Sequence, residues 1–238
     1  MPTPRLVTLA LIIVLLAVAL LGAAGVGYRQ NLWTLPTAFA MIKWAAYLGI
    51  AGGILALLGM TVTRPVGRAT LVLAVAFVVA AGTAWLPWSW KQRVGRVPPI
   101  HDVTTDTQDP PRFVAVLPLR ADAKNSATYG GDSVAALQRA GYPDIVPLHL
   151  ALPPAAAFAR ARMAATEMGW VMVAADSADG RIEATATTRW FGFKDDVVIR
   201  VRPDGAGSLV DVRSVSRIGG SDVGTNAARI RAFVARVR

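Results

Sequence analysis

Long apolar stretches dominate the first part of the chain. They cover residues 6–28, 38–62 and 69–88. Each is at least 20 residues long, which is enough for a helix to cross about 30 Å of hydrocarbon. Lys43 is the only charge inside them and lies close enough to the start of the second stretch to extend outward. The pattern predicts a membrane domain over residues 1–96 with three transmembrane helices.

The third apolar stretch ends in residues that are typical of a membrane interface. Tryptophans come first and basic residues follow: Trp85, Trp88, Trp90, Lys91, Arg93 and Arg96. Tryptophan rings concentrate at the level of the lipid headgroups, and Lys and Arg favour the aqueous side. This segment therefore marks the end of the membrane domain.

After residue 96 the pattern changes to short alternating segments. Alternation or β-prone composition predicts strands at residues 170–175, 181–189, 196–202 and 208–217. Asp179-Gly180 is a hairpin signal between the first two. Strands with one polar face, followed by a helix, predict an α+β domain over residues 97–238, with an antiparallel sheet and helices on one face.

Three helices are predicted in this domain. The first covers residues 132–142, with Asp132 or Ser133 as the N-cap and Val134 and Leu137 facing inward. The second begins at residues 153–154 and ends near residue 168. The last follows Ser221 or Asp222 as the cap and carries an inward stripe: Ile230, Phe233, Val234 and Val237.

The remaining segments of the soluble domain are less regular. Residues 97–111 are expected to be an extended linker, because proline pairs lie near both ends. Residues 112–117 are apolar and are expected to form a strand. Residues 143–152 are expected to lack regular structure because prolines interrupt them. His149, within this range, is expected to be partly buried with a backbone partner.

Charge is distributed as unevenly as hydrophobicity. Residues 1–96 contain no Asp or Glu, and all 15 acidic residues lie between Asp102 and Asp222. The net charge is +10, but eight of the 25 basic residues lie within residues 1–96, where no acidic residue balances them. A nucleic-acid-binding protein instead concentrates basic residues on a soluble face, so no nucleic-acid partner is expected. The absence of cysteine excludes disulfides, thiolate nucleophiles and Cys-ligated zinc.

Two signals disagree about the side of the membrane on which the soluble domain lies. With a cytoplasmic N-terminus, the basic residues inside are Arg5, Arg64 and Arg68, and those outside are Arg29, Lys43, Lys91, Arg93 and Arg96. The positive-inside rule therefore favours a cytoplasmic soluble domain. The first stretch, however, follows Arg5 and ends in small residues, as a signal sequence does, and its length favours a retained anchor over a cleaved one.

Five motifs of the soluble domain resemble one known family. They are PPIHDVTTD at 98–106, RIEATATTRWFGFKDD at 181–196, DVRSVSR at 211–217, GGSDVGTN at 219–226 and RIRAF at 229–233. Together they resemble the family catalogued as domain of unknown function 1499, over roughly residues 97–236. The family name implies no activity. Several of its members resemble exported proteins or lipoproteins, which implies a periplasmic domain. Three preceding spans depart from those single-anchor relatives.

The turn between the second and third alternating strands is the first candidate binding site. It contains Arg189, Trp190, Phe193 and Lys194. Exposed aromatic rings beside basic residues suit insertion at a membrane interface or contact with an apolar ligand. Alternatively, Trp190 and Phe193 pack on the core and Lys194 pairs with a carboxylate.

The start of the last helix is the second candidate. Asp222, Asn226 and Arg229 are spaced to lie on one helical face, and Arg217 is near them in sequence. The four side chains could bind a small polar ligand, or they could form a structural hydrogen-bond network. The glycines at residues 219–224 lack the spacing of a dinucleotide-binding loop.

The sequence nominates no catalytic residue, metal site or cofactor. Asp195 and Asp196 are adjacent, but consecutive strand residues point to opposite faces and would not share a proton. His101, Asp102 and Asp106 are a weak set of metal ligands, because they lie in a predicted linker.

These patterns favour an inner-membrane protein of bacteria whose soluble, periplasmic domain binds a lipid, an envelope component or a protein partner without catalysis. Contact with the lipid bilayer is expected. One alternative is a membrane-associated, hydrolase-like enzyme that uses Asp and His side chains. Another is a structural subunit, since Gly49 and Gly53 have the small-xxx-small spacing that could contact a membrane-protein partner.

Overall fold

The computed structural model describes residues 4–63 and 66–238. Arg64, which was counted among the basic residues above, lies outside the described residues. The chain divides into two compact units: a helical unit of Met1–Gly95 with Arg189–Gly192, and a sheet unit of Arg96–Thr188 with Phe193–Arg238. The chain therefore passes from one unit to the other three times.

The helical unit contains three long helices. They are α1 (Pro4–Arg29), α2 (Leu35–Thr63) and α3 (Arg68–Val94). Within the described residues, all three are long and apolar enough to cross a membrane, judged by length and composition. Each includes its predicted stretch, and α3 continues through the tryptophan-rich segment with Pro87 inside it.

Small residues allow these helices to approach closely. A side chain at Gly49 would lie 3.0 Å from the carbonyl oxygen of Ala80 in α3, and one at Gly53 would lie 3.5 Å from the Ala80 side chain. A side chain at Gly52 would lie 2.7 Å from Val14 in α1. The small residues of α2 thus contact α1 and α3 of the same chain.

The sheet unit is built on an antiparallel sheet. Its strands are β1 (Asp102–Thr104), β2 (Leu148–Leu150), β3 (Val171–Asp176), β4 (Arg181–Thr187), β5 (Lys194–Asp204) and β6 (Gly207–Ser216). The order is β1-β6-β5-β4-β3, and β2 pairs with the same edge of β6 as β1 does. The four predicted strands correspond to β3–β6, and Gly180 adopts a positive φ of 62° in the predicted hairpin turn.

Helices cover one face of this sheet. They are α4 (Gly131–Gly141), α5 (Pro154–Glu167) and α6 (Thr225–Val237). The core between helices and sheet includes Ile182, Ile199, Ile230 and Phe233, all almost fully buried. The predicted stripe of α6 is confirmed, and so is the α+β fold of an antiparallel sheet with helices on one face.

The segment before α4 was predicted wrongly. Residues 97–111 are not simply a linker, because they contain the buried strand β1. Residues 112–117 are not a strand, and a short 3-10 helix (Leu117–Arg120) begins at the last of them. Phe113 and Val116 are buried, so the apolar character of this run reflects packing without strand pairing.

Three smaller expectations were also wrong. No side chain caps the start of α4, which begins after Gly130. Leu137 is exposed, and its neighbour Gln138 is buried and exchanges two hydrogen bonds with the backbone of Thr104. His149 lies in β2, is exposed, and contacts the carboxylate of Asp204 at 2.6 Å.

Candidate functional site

The two adjacent carboxylates of β5 point to opposite faces of the sheet. Asp195, on the face covered by helices, binds the guanidinium of Arg229 at 2.6 Å. Asp196, on the other face, binds Arg120 at 2.5 Å and Arg217 at 2.8 Å. Both carboxylates are buried. As predicted, strand alternation separates them, so they do not share a proton.

A hydrogen-bonded cluster lies where β6 ends and α6 begins. The side-chain oxygen of Asn226 accepts a hydrogen bond from Ser214 at 2.7 Å, and its amide donates to Ser216 at 3.0 Å. Arg229 donates to Ser214 at 3.0 Å and also to Asn226. With Asp222 in the preceding turn, the structure brings together three of the four residues that were grouped from the sequence.

The expectation that Ser221 or Asp222 is the N-cap of α6 was wrong, because Gly224 holds that position with a positive φ of 82°; Asp222 lies two residues earlier and binds the backbone at the helix start. Its carboxylate accepts the backbone N–H of Gly224 at 2.9 Å and that of Asn226 at 2.5 Å. Burial raises the pKa of the Asp222 carboxyl above its usual value; the backbone hydrogen bonds and Arg229 lower it, and the charge of Asp195 raises it further. Burial therefore favours the neutral, protonated form of the Asp222 carboxyl.

Arg217 lies apart from this cluster, on the opposite face of the sheet. Besides binding Asp196, it donates to the carbonyl oxygen of Leu119 at 2.6 Å. Thr185 donates to Asp196 at 2.7 Å, so Asp196 has two arginines and a hydroxyl as partners. Proximity in sequence suggested a place beside Asp222, but strand alternation directs Arg217 to the other side.

Glu183 was not singled out from the sequence, although it is one of the most buried polar residues. Its carboxylate accepts the backbone N–H groups of Val114, Ala115 and Val116 at 2.9–3.1 Å. Arg181 lies 3.0 Å from the same carboxylate. A charged acceptor facing three successive N–H groups is a strong, directional contact. It fixes residues 114–116 to the surface of β4.

Arg213 and Asp102 form a second buried pair on this face. Two nitrogens of Arg213 bind the two oxygens of Asp102 at 2.9 and 2.7 Å. The guanidinium lies over the rings of Phe113 and Tyr129, at 5.2 and 5.4 Å from their centroids. Burial, together with the nearby charge of Asp102, raises the pKa of Tyr129 to about 12. The pair connects β1 and β6 to the segment that covers them.

A third charged group on this face is closer to solvent. Arg200 and Arg202 bind the buried carboxylate of Asp211 at 2.9 and 2.8 Å. Arg200 also binds Asp106 at 3.2 Å and Asp109 at 2.8 Å. These pairs attach residues 106–109 to β5 and β6. Both arginines are engaged in ion pairs within the sheet unit.

The segment that these charges bind exposes apolar side chains to solvent. Val114 is 51% exposed, Leu117 45% and Leu119 54%. Val171, 66% exposed, lies on the neighbouring strand β3. Because cross-strand partners share a face, its pairing with Thr185 places Val171 on the same side of the sheet. We call Val114, Leu117, Leu119 and Val171 the apolar ridge.

Residues 189–192, in the turn between β4 and β5, pack within the helical unit. The indole N–H of Trp190 donates to the carbonyl oxygen of Gly22 at 3.2 Å, and its ring lies 5.2 Å from that of Trp90. Phe191, the third aromatic residue of the turn, was not nominated as a site residue; it is buried and lies between Tyr28 and Phe39, with ring centroids at 5.8 and 6.0 Å. Trp190 is therefore half-buried against apolar helices.

The other predicted residues of this turn lie around it. The backbone carbonyl of Arg189 accepts a hydrogen bond from Arg29 at 2.9 Å. Phe193 is half-buried, and its backbone exchanges hydrogen bonds with Thr188. Lys194 begins β5 with an exposed side chain, on the same sheet face as Asp196. Trp190 and Lys194 thus belong to different compact units.

The candidate metal ligands do not converge. Asp102 pairs with Arg213, and Asp106 accepts the backbone N–H groups of Gln108 and Asp109 at 3.0 and 2.9 Å. Over residues 4–63 and 66–238, no group of three or more His, Cys, Asp or Glu side chains is arranged to bind a metal ion.

Comparison with known proteins gives one match. The model of a family described as "Protein of unknown function (DUF1499)" matches residues 102–237. The match covers β1–β6 and α4–α6, and hence both the helix-start cluster and the apolar ridge. Neither the curated proteins nor the solved structures include a significant match.

Proposed function

Because the chain belongs to the DUF1499 family, whose description assigns no activity, we propose a function from the site itself. The protein is a membrane-anchored binding protein that contacts a lipid, another envelope component or a protein partner, and it does so without catalysis. Its binding surface is the apolar ridge together with the basic residues around it.

One observation carries this proposal: buried carboxylates are used to fix an apolar surface segment. Glu183 binds the backbone of residues 114–116, and Asp196 binds Arg120 at the end of the same segment. Burying carboxylates is costly unless they are fully paired. A segment fixed at this cost, with exposed valine and leucine side chains, is typical of an interaction surface.

The proposed location is a bacterial inner membrane with the sheet unit in the periplasm. The three apolar helices support membrane insertion, and the periplasmic side is proposed because several members of the resembled family look like exported proteins. The half-buried Trp190 and the tryptophans at the end of α3 suit the interfacial region of a bilayer.

A membrane-associated hydrolase is the second candidate, because the pKa of Asp222 is raised in a cluster that also contains Asp195. A carboxyl of this kind can act as a general acid. If the protein is such an enzyme, Asp222→Asn should abolish complementation of a deletion strain, whereas substitutions in the apolar ridge should leave complementation intact.

Site-specific photocrosslinking in living cells tests the proposed function. A photoreactive phenylalanine analogue replaces Leu119 in one variant and Leu137 in the other. The two leucines are similarly exposed, at 54% and 44%, but Leu137 lies on α4. We expect a discrete adduct, with a lipid or with a protein, at Leu119 alone. No adduct at Leu119, or equal adducts at both positions, would contradict a binding function of the ridge.

A further inference from the structure

We propose that the apolar ridge docks onto the headgroup region of an anionic phospholipid bilayer. This inference rests on the proposed function and names its partner. The ridge inserts its aliphatic side chains at the membrane surface, while neighbouring basic side chains bind lipid phosphates.

A strand pairing and hydrogen bonds connect the parts of the chain that carry the ridge. Val171 is paired with Thr185, and Thr185 lies 3.4 Å from a guanidinium nitrogen of Arg217. Arg217 in turn donates to the carbonyl oxygen of Leu119. These contacts bring the exposed side chains of β3 and of the 3-10 helix to the same end of the sheet.

Buried charges make the ridge rigid before any partner binds. Its backbone is fixed by Glu183 at residues 114–116, by Asp196 through Arg120, and by Arg217 at Leu119. Little conformational entropy is then lost on binding, so a small apolar surface can give measurable affinity. A merely frayed loop with exposed leucines would not offer this advantage.

The charges around the ridge favour an anionic partner. Arg112, Lys124 and Lys194 are exposed, and Lys194 lies on the ridge face of β5. Two acidic residues of this part of the chain are exposed, Asp109 and Asp122; Asp109 is already paired with Arg200 and Arg202, which leaves Asp122 among the exposed basic residues. Basic residues beside exposed aliphatic ones are the composition that binds anionic lipid surfaces. A hydrophobic protein partner alone would give no reason for this excess of positive charge.

The chain itself keeps the sheet unit close to a bilayer. Helix α3 ends at Val94 and β1 begins at Asp102. The seven residues between them can extend at most about 25 Å. A tether this short gives the ridge a high effective concentration at the membrane surface, so even weak docking would be populated.

Depth-dependent fluorescence quenching in lipid nanodiscs tests the proposal. The full chain contains no cysteine, so Leu119→Cys and Leu137→Cys variants can each carry a single environment-sensitive fluorophore. Each labelled protein is reconstituted in nanodiscs of phosphatidylglycerol and phosphatidylethanolamine, or of phosphatidylcholine alone. A fraction of the lipids carries a nitroxide quencher in the headgroup region.

We expect the label at Leu119 to be quenched at least twofold more than the label at Leu137 in anionic nanodiscs. Adding Lys194→Glu to the Leu119→Cys variant should reduce that quenching, as should phosphatidylcholine or high salt. The double variant changes an exposed residue, so its fold should be unaffected.

Two results would overturn the proposal. One is a label at Leu119 that lipid nitroxides do not quench while aqueous iodide does. The other is equal quenching at both positions or in both lipid compositions. Either result would leave the proposed function standing if photocrosslinking at Leu119 still gave a protein adduct, and both ideas would fail if it gave none.

Discussion

At the scale of single residues, three neighbouring strands each place one buried carboxylate on the same sheet face. Glu183 of β4 binds backbone N–H groups, Asp196 of β5 binds two arginines and a threonine, and Asp211 of β6 binds two further arginines. Paired in this way, the carboxylates connect the sheet to residues 106–120. Their role is therefore to position a surface segment.

Glu183→Gln tests this role at a single site. The amide keeps the size of the side chain, but it removes the charge and brings an NH₂ group toward three backbone donors. We expect the binding of residues 114–116 to the sheet to weaken by about 1–3 kcal/mol, which would speed amide hydrogen exchange there by about 5-fold to 150-fold. Glu167→Gln, on the exposed end of α5, is the matched control and should change nothing. Unchanged protection in Glu183→Gln would contradict the role.

Asp222 should give the stability of the sheet unit a specific pH dependence. Its folded-state pKa is raised above the ordinary value of 3.8. Its protonation therefore favours the folded state below about pH 4, and this contribution is lost as the pH rises through the folded pKa. Asp222→Asn removes the titration, so the free energy of unfolding of the variant should rise relative to wild type between pH 4 and pH 7. Parallel pH profiles, measured by urea unfolding of the full chain in detergent, would contradict this.

At the scale of elements, two consecutive residues of β5 attach different parts of the chain to the two faces of the sheet. Asp195 binds Arg229 and so attaches α6 to the helix side of the sheet, whereas Asp196 binds Arg120 and so attaches the ridge segment to the other side. Although the two carboxylates are adjacent in sequence, each one holds a different element against the sheet.

Separate substitutions should loosen separate elements. Removing one member of a buried ion pair costs about 3–5 kcal/mol, so both variants should be clearly destabilised. In Asp196→Asn, hydrogen exchange should accelerate first in residues 112–120; in Asp195→Asn, it should accelerate first in the start of α6. Each variant is the control for the other. The same exchange pattern in both would show that the two faces are not independent.

Whether an element was predicted correctly depended on how clear its own sequence pattern is. Strands β4–β6 and helices α4 and α6 were predicted from the period of their apolar positions, β3 from its β-prone composition, and α5 from the prolines at its start. Asp222, Asn226 and Arg229 were grouped correctly because helical spacing places them together. β1 is only three residues long and is buried throughout, so it shows no alternation.

The ridge segment could not be predicted from its own pattern. Its backbone N–H groups bind Glu183, a residue 67–69 positions away in sequence. Glu183 itself looked like an ordinary outward-facing residue of an alternating strand. Local periodicity does not report that a second layer covers the polar face, so the ridge and the carboxylates beneath it were missed together.

At the scale of the whole molecule, we propose that three helices cross a membrane and carry the sheet unit to its outer side. The absence of acidic residues from residues 1–96 and the three long apolar helices support membrane crossing. The outer side is an expectation drawn from exported members of the family, whereas the count of flanking basic residues favours the inner side.

Topology reporters at three positions test this claim most directly. Alkaline phosphatase and a fluorescent protein are fused in turn after Asn31, after Val66 and after Arg238. We expect phosphatase activity at Asn31 and Arg238, and fluorescence at Val66 alone, because three spans starting inside alternate in this way. Fluorescence without phosphatase activity at Arg238 would show that the sheet unit lies on the cytoplasmic side. That result would contradict the proposed topology and would leave cytoplasmic partners as candidates for the ridge.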